Sequence, residues 1–301
     1  MEEQTTDKPL ELHFKIKHLP ELLVTSAKSW FNSDPFQKSA IVAYYAILSL
    51  PALIIIILNV VGSIWGRDIV QGELIDEISQ ALGKETAKSI QVMMVDRGDA
   101  PTSMFANIIG IATLLYGSTG VFFQIQNVLD EIWNATAPST NGIIATLIGR
   151  FKSFGFILVI GFLLLISFVL TSLLSTFGKN LSKFIPENMI DLLYIFDILV
   201  SLAFIYVLFA MMFKLLPNAT IKWRAVRIGA GLTSLLFVGG KYLLAVYFSE
   251  MEPGSTYGAA GSIILIMLWV SYSSLILFFG AHFTRAYSEK YLKTRPKQVL
   301  E

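Results

Sequence analysis

The sequence predicts an all-α polytopic membrane protein, with six transmembrane helices, an N-terminal interfacial helix and a helical extracytoplasmic loop. Three observations carry that expectation. The run Ala40–Gly62, AIVAYYAILSLPALIIIILNVVG, holds no charge and is long enough to cross a hydrocarbon core of about 30 Å as a helix. Five more long apolar segments follow it. The composition is 54% hydrophobic and 15% charged, with a mean hydropathy of +0.63, whereas soluble domains carry about a quarter charged residues.

The totals also remove several kinds of chemistry. There is no cysteine, which excludes disulfides, Cys-ligated zinc, iron–sulfur clusters and thiol catalysis. His13, His18 and His282 are too scattered for a His-rich metal site. A net charge of +1 gives no nucleic-acid surface. The first apolar run begins near residue 40, too deep for a cleavable signal peptide, so it reads as a retained signal anchor.

Residues 1–37 read as a cytoplasmic arm and interfacial helix. Leu10, Leu12, Phe14 and Ile16 alternate with Glu11, His13, Lys15 and Lys17, the period of a strand or extended arm. Pro20 can start a helix over 20–33, with Leu23, Ala27, Trp30 and Phe31 on one side and Lys28 off it. It is expected to lie in the membrane interface with Trp30 at headgroup depth, and Asp34-Pro35 makes the elbow that follows.

Residues 38–286 form the transmembrane domain, with spans near 38–62, 104–125, 151–176, 190–213, 226–248 and 260–284. Pro51 should bend the first. The acidic loop 63–103 repeats Ile69, Leu74, Ile75, Ile78 and Leu82 near helical spacing, so one or two amphipathic helices are expected there. In the second span Gly110, Thr113, Gly117, Gly120 and Gln124 share a narrow stripe that would let a neighbouring helix approach closely. The third is nearly uniform Phe, Leu, Ile and Val. Residues 287–301 form a basic cytoplasmic tail, expected to fray.

Charge placement orients the layout. Six spans put both termini on one side, together with Arg150, Lys152, Lys214, Lys222, Arg224 and Arg227. The other side keeps only Arg67, Lys84, Lys88, Arg97, Lys179 and Lys183. The positive-inside rule then puts both termini in the cytoplasm.

Ionisable groups inside spans cost about 2.5–3.5 kcal/mol each and normally face a partner or cavity. Asp191 and Asp197 lie in the fourth span and Lys241 in the fifth. Asp197 and Lys241 are each ~10 Å below the outer boundary at 1.5 Å per residue, so an ion pair is expected between them. Asp191, Tyr194, Asp197 and Ser201 share one arc, and Thr233, Ser234, Gly240 and Lys241 another. Together, and with Gln124 of the second span, they could line a substrate pathway open to the outside, or the pair could only fix helix register. Other candidates read more simply. The pairs Asp96/Asp99 and Glu250/Glu252 could grip a divalent cation, but the simpler reading is solvated loop acids. Gln124, Gln126, Asn127, Asp130, Glu131 and Asn134 cap the end of the second span or form an inner gate, and His282 is an interface residue. No P-loop, G-x-S-x-G, H-E-x-x-H or G-x-G-x-x-G is present, so no enzyme, catalytic residue, metal or cofactor is expected.

Three stretches taken together carry a family resemblance: AIVAYYAILSLPALIIIILNVVG over 40–62, LYGSTGVFFQIQNVLDEIW over 115–133, and GSIILIMLWVSYSSLILFFGAHFTRAY over 261–287. The set resembles the YihY/BrkB family of bacterial inner-membrane proteins, once labelled ribonuclease BN. Asp130 stands where relatives often have Asn. The resemblance implies six spans, an inner-membrane location and a part in envelope transport. The expected function is therefore a transporter or flippase-like protein for an amphipathic or anionic envelope substrate. A non-transporting scaffold of the envelope and, last, a nuclease are the alternatives. The expected partners are the lipid bilayer and a lipid or anionic small molecule, with a homo-oligomer left open and nucleic acid excluded.

Overall fold

The computed structural model describes residues 16–60, 66–82, 87–88, 90–91, 120–135, 190–251 and 261–292, and no strand occurs among them. A 3-10 turn over Ile16–His18 leads into α1 (Leu19–Phe31). Then come α2 (Pro35–Val60) and α3 (Arg67–Leu82). A helical stretch over 120–132 follows, and then α4 (Ile190–Leu215), α5 (Trp223–Met251) and α6 (Gly261–Tyr291). Within this set, Trp223–Phe248 and Ile263–Tyr291 are long and apolar enough to cross a membrane.

Helix α6 is the axis. Its 31 residues give a length of about 46 Å at 1.5 Å per residue, well beyond a hydrocarbon core. Helices α1, α2 and α5 all pack along it. The first two run antiparallel to it, as their polar contacts show. His18 Nδ1 meets the Tyr291 hydroxyl at 2.7 Å, Ser29 and Ser33 both reach His282, and Ser39 meets Ser271 at 3.0 Å. Helix α4 packs on α5 and α3 touches α2, α5 and α6. The buried core includes Phe213, Val226, Phe278, Phe283 and Tyr287, each at most 1% exposed.

Several expectations change in detail. The alternation ending at Ile16 gives a 3-10 turn over Ile16–His18 rather than a strand, because the His18 ring is drawn to Tyr291; residues 10–15 lie outside the described residues. The amphipathic helix exists, with Pro20 in its first turn. It stands alongside α6, because Leu22, Ser26 and Ser29 face that helix. The elbow turns at Asp34, whose φ of 50° is left-handed, a conformation that Asp and Asn tolerate. The start of the tail, expected to fray, stays helical as far as Tyr291. Arg285 reaches Glu289 one turn on at 2.6 Å, Lys290 reaches Glu21 at 2.5 Å, and Tyr287 and Tyr291 are buried. Helix α2 runs through Pro51 without a break; just before it the Ser49 hydroxyl donates to the Ala46 carbonyl at 2.9 Å. Gly110, Thr113 and Gly117 lie outside the described residues. Gly120 is inside them, and a Cβ there would come within 2.5 Å of the Tyr45 ring, as its place on a packing face requires.

Two glycine–threonine pairs fix the approach of α5 to α6. Thr233 presses on Gly280 and Thr284 on Gly229, and each threonine hydroxyl donates to the carbonyl one turn back, at 2.7 Å. A Cβ on either glycine would overlap the facing hydroxyl. The threonine Cβ itself would lie only 2.8 Å (Thr284) or 2.9 Å (Thr233) away, so no change of χ1 rotamer relieves the overlap. Replacing Gly229 or Gly280 with Ala should therefore cost about 1–3 kcal/mol, as overpacking does. Gly239, with nothing within 4 Å of its would-be Cβ, should accept Ala without loss. Thermal unfolding in detergent of the three variants checks this; equal melting temperatures would refute the close crossing.

Candidate functional site

The basic end of the bundle is tied together by side chains that are distant in sequence. Asp130, at the end of the 120–132 stretch, grips the α4–α5 connection: Oδ1 accepts from the Asn218 backbone N–H at 2.6 Å and Oδ2 from its amide at 2.7 Å. Glu131 accepts from Lys38 on α2 at 2.7 Å. Arg285 on α6 donates to the Ile132 carbonyl. Asn134, left-handed at φ 48°, sits where its amide oxygen accepts from Arg285 at 3.0 Å. Lys214 donates to the Ile221 carbonyl at 2.6 Å and lies over the Trp223 ring, and Lys222 donates to the Leu292 carbonyl at 2.8 Å. Gln126 is 2% exposed and its side-chain oxygen has no hydrogen-bond partner among the described residues.

His282 is buried beside this knot and bridges to the α1–α2 elbow. Ser33 Oγ donates to the Trp30 carbonyl at 2.7 Å, so it accepts from the imidazole Nε2–H at 3.1 Å. That leaves Nδ1 to accept from Ser29 Oγ at 3.0 Å. A neutral, Nε2-protonated ring satisfies all three groups. On α1, the Lys290 ammonium bonded to Glu21 holds that carboxyl below its ordinary range. Such a pairing supports folding above the ordinary carboxylate range and is lost as pH falls through the lowered value.

The second region lies on the α5–α6 seam, toward the opposite end. Lys241 is exposed, and with Phe237, Trp269, Tyr272, Ser273 and Ile276 it lines a notch too narrow to admit water. Phe237 and Trp269 meet edge to face at 6.1 Å, and Tyr272 closes over Gly240. Around Lys241 the α5 surface is apolar and open: Tyr242, Leu243 and Val246 are 64%, 69% and 62% exposed.

The expected pathway residues distribute unevenly. Thr233 is fully buried and its hydroxyl is spent on Gly229, so it packs helices and faces no cavity. Ser201 is exposed and Gln124 partly so. The side chains of Asp191, Tyr194 and Asp197 lie outside the described residues, and with them the Asp197–Lys241 contact. Tyr206 touches the Gly231 position and Phe209 meets Phe237, so α4 runs antiparallel beside α5. Asp96, Asp99 and Glu252 are also outside the described residues, among which no group of three His, Asp or Glu could hold a metal.

Residues 29–299 match the family described as Virulence factor BrkB. The chain belongs to that BrkB family. The relatives of this BrkB chain are named as membrane proteins. The UPF0761 membrane protein of Pseudomonas paraeruginosa is 28% identical over 182 residues, 58% of this chain and 40% of that one. That of Idiomarina loihiensis is 26% identical over 187 residues, 62% of each chain. That of Psychromonas ingrahamii is 24% identical over 252 residues, 83% of this chain and 82% of the relative. The BrkB chain thus spans about two fifths of the length of the Pseudomonas relative. No solved structure matches it.

Sequence reasoning missed the roles of Ser29, Ser33, Asn218 and Thr284. One signal was present: glycine followed four residues later by threonine occurs in both of the last two helices, at Gly229 and Thr233 and at Gly280 and Thr284. Asp130 has a defined part here, the two-bond grip on Asn218. An Asn could accept from the Asn218 N–H but would turn its own NH₂ toward the second donor. Asp130→Asn should therefore lower stability by about 1 kcal/mol, and Asp130→Ala by more. Thermal unfolding resolves the order, and an Asn variant as damaging as Ala would refute the two-bond clamp.

Proposed function

We propose that this BrkB-family chain is a six-span protein of the bacterial inner membrane with both termini cytoplasmic. In this reading it moves an amphipathic or anionic envelope substrate without catalysis, cofactor or nucleic acid. The layout is supported by the charge distribution, since Lys38, Lys214, Lys222, Arg224, Arg227, Arg285 and Lys290 all gather at one end. By the positive-inside rule that end faces the cytoplasm. Beyond the two helices Trp223–Phe248 and Ile263–Tyr291, the spans near 38–62, 104–125, 151–176 and 190–213 are read as membrane-crossing from the sequence.

One observation carries the transport reading: Lys241 is exposed within an apolar face of α5, about 15 Å of helix from Met251. A lysine at that depth is costly unless it serves a partner or a charged ligand. The notch beside it is closed to water, so a substrate would reach it from the bilayer side, headgroup toward the ammonium and chains in lipid. A second reading, the non-transporting scaffold, draws support from the same closed seam and from the cross-braced basic end.

Reconstitution into liposomes with fluorescent anionic and zwitterionic lipids, scored by loss of signal to an impermeant quencher, tests the proposal. Lys241→Met should slow movement of the anionic probe roughly tenfold, the loss of one charged contact. Lys241→Arg should retain it. If Asp197 is the resting partner, Asp197→Asn combined with Lys241→Met will be milder than the sum of the singles. Wild-type protein that moves neither probe would overturn transport in favour of the scaffold.

A further inference from the structure

We propose that the outer face of α1 and its elbow is a contact site for anionic phospholipid headgroups in the leaflet at the basic end. It rests on the membrane reading but not on transport. At 100° per residue, Leu22, Ser26 and Ser29 fall within about 60° of one another, and Val24, Lys28 and Phe31 occupy a similar arc on the opposite side. The first set faces α6: Leu22 and Ser26 are 2% and 0% exposed, and Ser29 holds His282. The second set faces away. Val24 is 55% and Phe31 61% exposed, and Lys28 between them is exposed, with no salt-bridge partner among the described residues.

This face does not stand alone. Phe31 and Phe36, the latter also 61% exposed, both meet the Trp30 ring, at centroid distances of 4.8 and 6.0 Å. Trp30 in turn meets Phe279 of α6 at 6.0 Å, so the exposed pair is anchored on the axis helix. From Phe36 the exposed row continues one turn at a time through Ala40, Tyr44 and Leu48 of α2, the helix whose apolar run first indicated a membrane. The row thus passes from α2 across the elbow onto α1. Lys28 lies one further turn along it, about 5 Å past Phe31. A cation just beyond the last aromatic residues of a lipid-facing stripe is placed for phosphate rather than acyl chain. Charge complementarity therefore selects anionic lipid as the occupant.

The chain has no cysteine, so single labels are unambiguous. Val24→Cys and Phe31→Cys, each carrying a bimane, are reconstituted in phosphatidylcholine vesicles with one quarter phosphatidylglycerol. Thr220→Cys, in the exposed α4–α5 connection, is the aqueous control. Brominated chains are placed on one lipid or the other at equal total bromine. The label at 31 should be quenched by lipid and shielded from iodide, the label at 24, a turn beyond Lys28, should show both effects more weakly, and the label at 220 should behave oppositely. Quenching should favour brominated phosphatidylglycerol roughly fivefold per lipid, and Lys28→Gln should abolish that preference while leaving the shielding. Iodide quenching at 24 and 31 would mean that the face is in water. Shielding from both quenchers would mean that a second copy or another protein covers it. Equal quenching by the two lipids would mean plain burial in the bilayer. Each of these three results overturns the proposal. Native mass spectrometry of phosphatidylglycerol retained by wild type and by Lys28→Gln gives a readout free of label; equal retention would count against it.

Discussion

The close crossing of α5 and α6 is the constraint on which the rest of the structure depends. In a bilayer apolar surface gains nothing by leaving lipid for another helix, so association rests on shape and on polar contacts. Glycines at 229 and 280 let the backbones approach, and the facing threonines fill the space. Their hydroxyls would be costly if unpaired in that setting, but each is satisfied by a carbonyl of its own helix. The contact is thus tight without leaving a polar group unpaired. Because α6 also carries α1 and α2, the position of α5 is set relative to all of them.

The basic end is held by a different kind of force. There the partners are charged or polar and mostly solvent-accessible, as Glu131, 62% exposed at its side chain, illustrates. Single pairs of that kind contribute little. Their value lies in arrangement, since Asp130, Glu131 and the Ile132 carbonyl bind three different elements from one helix end. His282 adds a buried link whose two ring nitrogens are both used. A histidine with both nitrogens committed to serine hydroxyls serves as a structural tie rather than a relay. Within the polar patch read from the sequence as capping or gate, Asp130, Glu131 and Asn134 accordingly form a junction, reaching sideways to other elements.

Lys241 stands apart from both. It belongs neither to the seam's small-residue crossing nor to the basic knot, and its surroundings are aromatic and apolar. Its place along α5 was legible, because the ends of a long apolar run are local signals. Its exposure was not legible, because the direction a helix turns its side chains depends on which neighbour it packs against.

The sequence by itself determined the helices and the class of protein. Long apolar runs, their flanking charges, the Pro20 start and the Asp34-Pro35 elbow are local signals, read within one or two turns. That is why α1, α2, α4, α5 and α6 appear within a few residues of their expected bounds, save where α6 runs on to Tyr291. Only the tertiary structure decided that Thr233 packs against Gly280 rather than facing a cavity, that α1 stands along α6, and that Asp130 holds Asn218. Those outcomes depend on the rotation of each helix about its axis and its offset along its neighbour. Local periodicity fixes neither, because many rotations bury an all-round apolar helix equally well; side chains far apart in sequence, up to 273 residues for His18 and Tyr291, choose among them.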